Sequence, residues 1–311
     1  MTATIGVDVG GSKSLGVVLD DRGVVVAERR TPTPRTAEEL LVAIGDLVVS
    51  LQAGAPGCAV GIGVPGLVDG DGVLRFAPNL PGVVEVPVRA ALERQGIGPL
   101  VVGNDATGAT WAELTSGAAR GARDVVMATI GTGIGGGVVL NGVLIGGHHG
   151  FAGEFGHMVV DPNGPRCPCG QRGCWERYAS GSGLSLLARE AAQAGEAGRV
   201  VELAGGDAEA VRGEHVTVAA AEGDAQAMAV MDRFAWWLAV GLANLAAAFD
   251  PELIVLGGGM VEAGPVLLEP ARRAFATLLE GGQHRPAVRL VAASLGERAG
   301  AIGAALLARA A

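Results

Sequence analysis

Two segments of the chain, IGVDVGGSKSLGVVLD (Ile5–Asp20) and VVMATIGTGIGGGVVLN (Val125–Asn141), share one layout: an apolar run, a turn of glycines and a hydroxyl residue, and a second apolar run. Short runs rich in β-branched residues and bounded by glycine read as strands. Two such units about 120 residues apart point to a duplicated architecture, and no other feature restricts the fold as much. The length of 311 residues suits one large domain or two joined ones. With 49% apolar residues and a mean hydropathy of +0.39 there is ample material for a core.

The turns themselves carry chemistry. Backbone without side chains can aim several N–H groups at one point and let a phosphate approach closely. Gly10, Gly11, Ser12 and Lys13 form the first turn, and Gly131, Thr132 and Gly133 the second. Lys13 is the single lysine among 23 basic residues, which makes its place in a glycine turn notable. Asp8, at the end of the first strand, suits Mg²⁺, which takes few carboxylates and keeps several waters. Neither turn opens a helix, so neither is a Walker A loop or a dinucleotide fingerprint. An ordinary β-turn would show the same residues; two copies between apolar strands favour phosphate. A third signal is DPELIVLGGGM: a buried strand over Leu253–Leu256 running into Gly257, Gly258 and Gly259, where a flat group such as a base and ribose can lie against backbone. The apolar run before it, Phe234–Phe249, reads as a buried helix starting at an Asp224 N-cap.

Between these segments lies GHMVVDPNGPRCPCGQRGCWE. His157, Cys167, Cys169 and Cys174 have the residue types and short spacings of a tetrahedral zinc site of the Cys3His kind. Pro168, Gly170 and Gly173 let the chain fold back between them. Four protein ligands close the coordination shell, so such a knot is structural. Free thiols or one disulfide are the alternative. Glu154 and Glu176 flank the knot, which can hold polar groups on both sides in one geometry. Cys58 stands apart and reads as a core residue.

The stretch PLVVGNDATGATWAE runs from a buried strand into a helix, with Asn104 and Asp105 at the junction. Asp105 reads as a helix cap or as a general base at a strand end, where open α/β sheets place ligands. On this pattern alone the cap is the simpler reading. Gly66, in a Pro-Gly turn, and Asn79, in a PNLPG loop, offer groups suited to a hydroxyl-rich ligand.

The net charge of −9 argues against nucleic acid as a partner. No apolar run reaches the length of a membrane span, about 20 residues, and no basic flank precedes an apolar N-terminal run. A cytoplasmic location is expected.

Together these motifs resemble the ROK family of sugar kinases, most closely its bacterial glucokinases. The family's D-x-G-G-T-K motif is matched by Asp8, Gly10, Gly11, Ser12 and Lys13. Its second phosphate turn is matched by Gly131, Thr132, Gly133 and Gly135, its E-x-G-H by Glu154, Gly156 and His157, and its C-x-C-G-x-x-G-C-x-E by Cys167 to Glu176. The resemblance implies an actin-like (ribonuclease H-like) α/β fold, with two domains flanking a cleft: residues 1–107 with 297–311, and residues 108–296 with the zinc knot and nucleotide site. It implies transfer of a phosphoryl group from Mg·ATP to the C6 hydroxyl of glucose, with Asp105 as the base. Gly66, Asn79, Asn104, Glu154, His157 and Glu176 would bind the sugar. The two turns would hold the phosphates, with Gly257–Gly259 near the adenosine. Structural Zn²⁺, Mg²⁺ with ATP, and a homodimer or larger homo-oligomer are expected. Ser12 in place of threonine keeps the hydroxyl; Val83 and the Thr107-Gly108 pair depart from the usual residues and bear on sugar preference. N-acetylmannosamine or polyphosphate kinases remain alternatives, as does a non-catalytic sugar sensor. A ROK repressor would need a helix-turn-helix before Asp8, and only seven residues precede it here.

Overall fold

The computed structural model describes residues 3–54, 57–78, 80 and 82–311. Strands β1 (Thr4–Val9), β2 (Lys13–Leu19) and β3 (Val25–Pro32) are followed by α1 (Ala37–Gln52) and β4 (Ala59–Val64). Three short strands, β5 (Leu67–Val68), β6 (Leu74–Phe76) and β7 (Val84–Val86), make a small antiparallel sheet. Helix α2 (Val88–Arg94), strand β8 (Leu100–Asn104) and helix α3 (Asp105–Ser116) come next. Then follow β9 (Val125–Ile130), β10 (Ile134–Leu140), β11 (Val143–Leu144) and the helices α4 (Glu176–Ala179), α5 (Gly181–Gln193), α6 (Gly198–Leu203), α7 (Gly213–Ala221) and α8 (Ala225–Phe249). The chain closes with β12 (Leu253–Gly257), α9 (Pro265–Leu278), β13 (Arg289–Ala292) and α10 (Ala299–Ala310).

The duplication expected from the sequence is present in the topology. One sheet has the order β3-β2-β1-β4-β8 and the other β11-β10-β9-β12-β13. In the first, β1, β2 and β3 are antiparallel neighbours, while β1, β4 and β8 run parallel. In the second, β10 and β11 are antiparallel, while β9, β12 and β13 run parallel. The fold is α/β with mixed sheets. Two compact units form: residues 1–123 with 137–153 and 293–311, and residues 124–136 with 154–292.

In the first unit, α1 covers one face of the sheet. Its buried Leu40, Ile44, Leu47, Val48 and Leu51 meet Ile5, Val7, Val60 and Ile62. Helix α1 starts at a Thr36 cap: its Oγ1 accepts the Glu39 N–H at 3.3 Å and donates to the Glu39 carboxylate at 2.8 Å. The other face is covered by α10, which lies directly on sheet backbone. A Cβ on Gly6 or Gly61 would strike the carbonyl oxygens of Ala301 and Ala304. Glycine at these strand positions is what lets an alanine-rich helix approach so closely.

In the second unit, α8 is the longest helix. Asp224 caps it as expected, its Oδ1 accepting the Ala227 N–H at 2.8 Å. Its buried face carries Val230, Phe234, Leu238, Leu242 and Leu245. Strand β12 is buried along its whole length. Among the described residues no helix is long and apolar enough to cross a membrane.

Candidate functional site

In the first unit the parallel strands β1, β4 and β8 bring their carboxyl ends together. Asp8 pairs in register with Gly63, and Gly63 with Gly103; Val64 pairs with Asn104. Gly63 has no side chain, and α3 begins over that gap: a Cβ there would lie 3.2 Å from Asp105 Cα. With α3 seated there, the carboxylates of Asp8 and Asp105 are near enough for their charges to interact. Burial raises both above the usual carboxylate range, and the neighbouring Asp105 charge adds to the effect on Asp8, which reaches about 8. Helix α10 starts against the same carboxylate, since a Cβ on Gly300 would lie 2.5 Å from Asp8 Oδ2.

The structure separates the two readings of Asp105. The cap of α3 is Asn104, whose Oδ1 accepts the Thr107 N–H at 2.9 Å. Asp105 is the first helical residue, and its Oδ1 accepts the Ala106 N–H at 2.8 Å. The simpler reading of Asp105 as the cap is therefore corrected: Asn104 holds that place, and the Asp105 carboxylate bonds the backbone beside it. The amide of Asn104 also donates to the Gly66 carbonyl at 3.1 Å, tying the Pro-Gly turn to the strand end. Asn79 lies outside the described residues.

The first glycine turn closes with the Gly10 N–H donating to the Lys13 carbonyl at 3.0 Å. Lys13 opens β2, and its Nζ lies 2.7 Å from Glu297. Glu297 also pairs with Arg30, which pairs with Glu28. Lys13, Glu297 and Arg30 are exposed and Glu28 is half-buried, so the network sets where the lysine rests more than it adds stability.

In the second unit the Gly131 N–H donates to the Gly133 carbonyl at 3.0 Å, closing a hairpin of the same kind. Gly135 lies just inside β10. The start of α5 supports this turn: the Gly181 N–H donates to the Gly131 carbonyl at 2.8 Å, and Ser182 Oγ to the Thr132 carbonyl at 2.7 Å. The glycine triplet arrives beside it. Gly257 pairs with Thr129, and Gly258 adopts φ +84° against the backbone of Ile130, where a Cβ would collide.

A cavity of about 820 Å³ opens next to these glycines. Gly259, Met260, Ser182, Arg177, Arg189 and Arg212 are among its lining residues. The Nε of Arg177 is buried without a hydrogen-bond partner. Sequence reasoning reached Gly259 and missed the rest. Arginines scattered over α4, α5 and the start of α7 carry no local pattern.

The His/Cys cluster forms as expected. Its four ligand atoms lie within 4.8 Å of one another. Cys169 Sγ is 3.6 Å from Cys174 Sγ, and Cys167 Sγ is 3.8 Å from His157 Nδ1. A tetrahedral zinc site with Zn–S near about 2.3 Å separates its ligands by about 3.8 Å, so the donor set and spacing fit that ion. Burial raises the Cys167 and Cys174 thiols, and a metal would take the place of their protons. Tight turns make the knot: the Cys167 N–H donates to Gln171 and the Gly170 N–H to Cys167, with Gly170 and Gly173 both at positive φ. Trp175 anchors it. Its ring is fully buried over Gly241 of α8, and its Nε1–H donates to the Trp237 carbonyl at 2.8 Å.

The knot orients the flanking polar groups. His157 turns Nδ1 toward the thiols, while its Nε2 lies 3.9 Å from Glu154. Glu176 Oε1 is 3.8 Å from His157 Nδ1 and 3.2 Å from Cys167 Sγ. Glu154, His157 and Glu176 thus gather on one patch of the second unit. Carboxylates flanking an imidazole suit recognition of vicinal hydroxyls, since each can accept or exchange hydrogen bonds with an O–H.

Comparison with known proteins agrees with these features. A model of the ROK family matches residues 4–311. A glucokinase of Streptomyces coelicolor is 41% identical over 312 residues, covering 99% of this chain and 98% of its own. An N-acetylmannosamine kinase of Escherichia fergusonii is 37% identical over 311 residues, 98% of each chain. Among solved structures, a ROK family glucokinase from Streptomyces griseus in complex with glucose and AMPPNP is 40% identical. It superposes with a TM-score of 0.90 over 99% of this chain and 100% of that one.

Proposed function

The chain belongs to the ROK family, and from that premise we propose that it is an ATP-dependent glucokinase, moving the γ-phosphoryl group of Mg·ATP to the C6 hydroxyl of glucose. The observation that carries this reading is the end-to-end likeness to glucokinases, 41% in sequence and a TM-score of 0.90 to one holding glucose and AMPPNP. The site residues support it, because the groups such a transfer needs stand on structured elements.

Phosphoryl transfer asks a protein for positioning and charge neutralisation. Asp105 takes the proton of the C6 hydroxyl as the new P–O bond forms. Its raised pKa suits a group that must accept a proton and release it again. Asn104 and Gly66, joined by their hydrogen bond, and Glu154, His157 and Glu176 orient the other sugar hydroxyls; Asn79 is assigned here by its motif. Gly10–Lys13 and Gly131–Gly135 hold the phosphates through backbone N–H groups, with Lys13 adding a positive charge. The nucleoside takes the cavity that begins at Gly259. Mg²⁺, when bound with ATP, offsets the phosphate charge, and Asp8 stands at the first turn to meet it directly or through water. Zn²⁺ on His157, Cys167, Cys169 and Cys174 supplies a fixed geometry and no chemistry.

A second reading keeps the fold and changes the acceptor, favoured by the N-acetylmannosamine kinase at 37% identity. A coupled ADP-release assay decides, with Mg·ATP and a panel of glucose, N-acetylmannosamine, mannose, fructose and N-acetylglucosamine. Preference for glucose is the expected result. Preference for N-acetylmannosamine would replace the reading. Inactivity on every sugar with ATP and with polyphosphate would overturn it.

A further inference from the structure

Three short contacts join the backbone of Glu176 to the second phosphate turn, and only two protons serve them. Ser180 Oγ lies 2.6 Å from the Glu176 carbonyl oxygen and 2.9 Å from Ser182 Oγ, which in turn lies 2.7 Å from the Thr132 carbonyl oxygen. Carbonyl oxygens only accept, and each serine hydroxyl carries one proton. When both protons point at the carbonyls, the two hydroxyl oxygens face each other with nothing between. When one proton lies between the hydroxyls, either Glu176 or Thr132 loses its donor. Ser180 is fully buried, and its oxygen also accepts the Gly183 N–H at 3.2 Å, so solvent reaches the pair only from the Ser182 side. A shift of either carbonyl therefore changes which proton arrangement is preferred and alters the bond at the far end.

We infer that Ser180 and Ser182 form a positioning relay that ties the placement of the phosphate turn to the placement of Glu176, so that sugar and nucleotide reinforce each other's binding. The inference rests on the proposed roles of Glu176 and of the Gly131–Gly133 turn. Ser180 is buried away from substrate, while Ser182 lines the cavity proposed for the nucleoside, so the relay is read from the glucose-dependent gain and not from nucleotide affinity alone. Both act through the backbone of the residues they tie together. By linkage the reinforcement is reciprocal: the factor by which glucose tightens nucleotide binding equals the factor by which nucleotide tightens glucose binding. The Gly181 N–H holds the adjacent Gly131 carbonyl with a proton that cannot be redirected. The adjustable member of the pair of ties is thus Ser182.

The test uses calorimetric binding of AMPPNP with Mg²⁺ to the full chain, with and without glucose, for wild type, Ser182→Ala and Ser182→Thr. Ser182 is exposed at the cavity rim, so removing its hydroxyl leaves the core intact. Glucose is expected to tighten AMPPNP binding to the wild type. Ser182→Ala is expected to weaken AMPPNP binding about three- to tenfold, the scale of one neutral hydrogen bond, and to lose most of the glucose-dependent gain. Ser182→Thr restores both, and zinc content is the same in all three. In steady state the alanine variant raises KM for ATP more than it lowers kcat. Unchanged affinity and gain in Ser182→Ala would overturn the relay, as would a threonine variant as impaired as alanine. Loss of zinc from the alanine variant would make the effect a structural lesion and count equally against it. Wild-type protein that binds AMPPNP without any gain from glucose would sink the relay alone. Wild-type protein that binds no AMPPNP would overturn the kinase reading along with it.

Discussion

The first strand of each duplicated half has six residues, and the fifth is Asp8 in one and Thr129 in the other. Each faces a glycine on the parallel neighbour, Gly63 and Gly257. Both strands then enter a glycine turn. Past the turn, β2 opens on Lys13 and β10 on Ile134. Beyond the parallel pair, β8 delivers Asn104 and Asp105, while β13 delivers Ala292. One half therefore surrounds its turn with ionisable groups. The other supports its turn with neutral hydrogen bonds from Gly181 and Ser182 and keeps its ionisable groups in the knot and in the adjoining cavity. The backbone was repeated and the chemistry was not, because topology places positions whereas side chains decide what they do.

If acid–base chemistry belongs to the first half alone, Asp105→Ala should lower kcat by about 10²- to 10⁴-fold, the range for losing a general base. No substitution in the Gly131–Gly135 turn should match it at saturating ATP. Near-normal turnover by Asp105→Ala, measured in the ADP-release assay, would break the contrast.

The second half should answer to metal. Cys174→Ser, or prolonged chelation, should cost about 10- to 100-fold in kcat/KM for glucose, the range for lost support around a site. Elemental analysis should show zinc in the wild type and its loss in the variant. Glucose dependence left unaltered by a zinc-free protein would separate the knot from the sugar patch.

Packing sharpens the contrast at the next level. Gly61→Ala sets a methyl against the α10 backbone, and Gly241→Ala sets one against the Trp175 ring. Each overpacking should cost about 1–3 kcal/mol in denaturant unfolding. Only Gly241→Ala should also loosen zinc, because Trp175 follows Cys174 directly.

The carboxylate pair gives the first half its own pH dependence. Asp8 has a folded-state value of about 8 against 3.8 for the free side chain. Over that window the folded state holds more protons than the unfolded one, so this contribution is complete below the lower value and is lost as pH rises through the upper. Ligand-free wild type should therefore lose Tm across the window more steeply than Asp8→Asn. Parallel slopes for the two proteins would show that Asp8 is ionised throughout. The smallest effect belongs to Glu297→Gln. Its ion pair with Lys13 is exposed on both sides, and stability should change by less than about 1 kcal/mol.

Much of this was legible in sequence where the signal is local. The glycine turns, the Asp224 cap, the strand ending in three glycines and the four metal ligands all declare themselves within about 20 residues, and the fold follows from the repeat. Asp105 was legible as a strand-end carboxylate but not as distinct from a cap, since Asn104 and Asp105 are both good capping residues and only hydrogen-bond geometry tells them apart. Ser180, Ser182, Arg177 and Gly63 were missed. Ser180, Ser182 and Gly63 act through partners on other elements, and Arg177 joins the site through the cavity it lines.

The sequence by itself determined which short segments could be turns, strands, caps and ligands, because those depend on backbone preferences and ligand spacing over a few bonds. Tertiary structure alone decided that α3 seated over Gly63 brings two carboxylates near each other, that α10 rests on strand glycines, and that two serine protons are shared among three contacts. Those outcomes depend on distances between groups far apart in the chain. Such distances exist only once the apolar faces of the two sheets have been buried and the elements held in register.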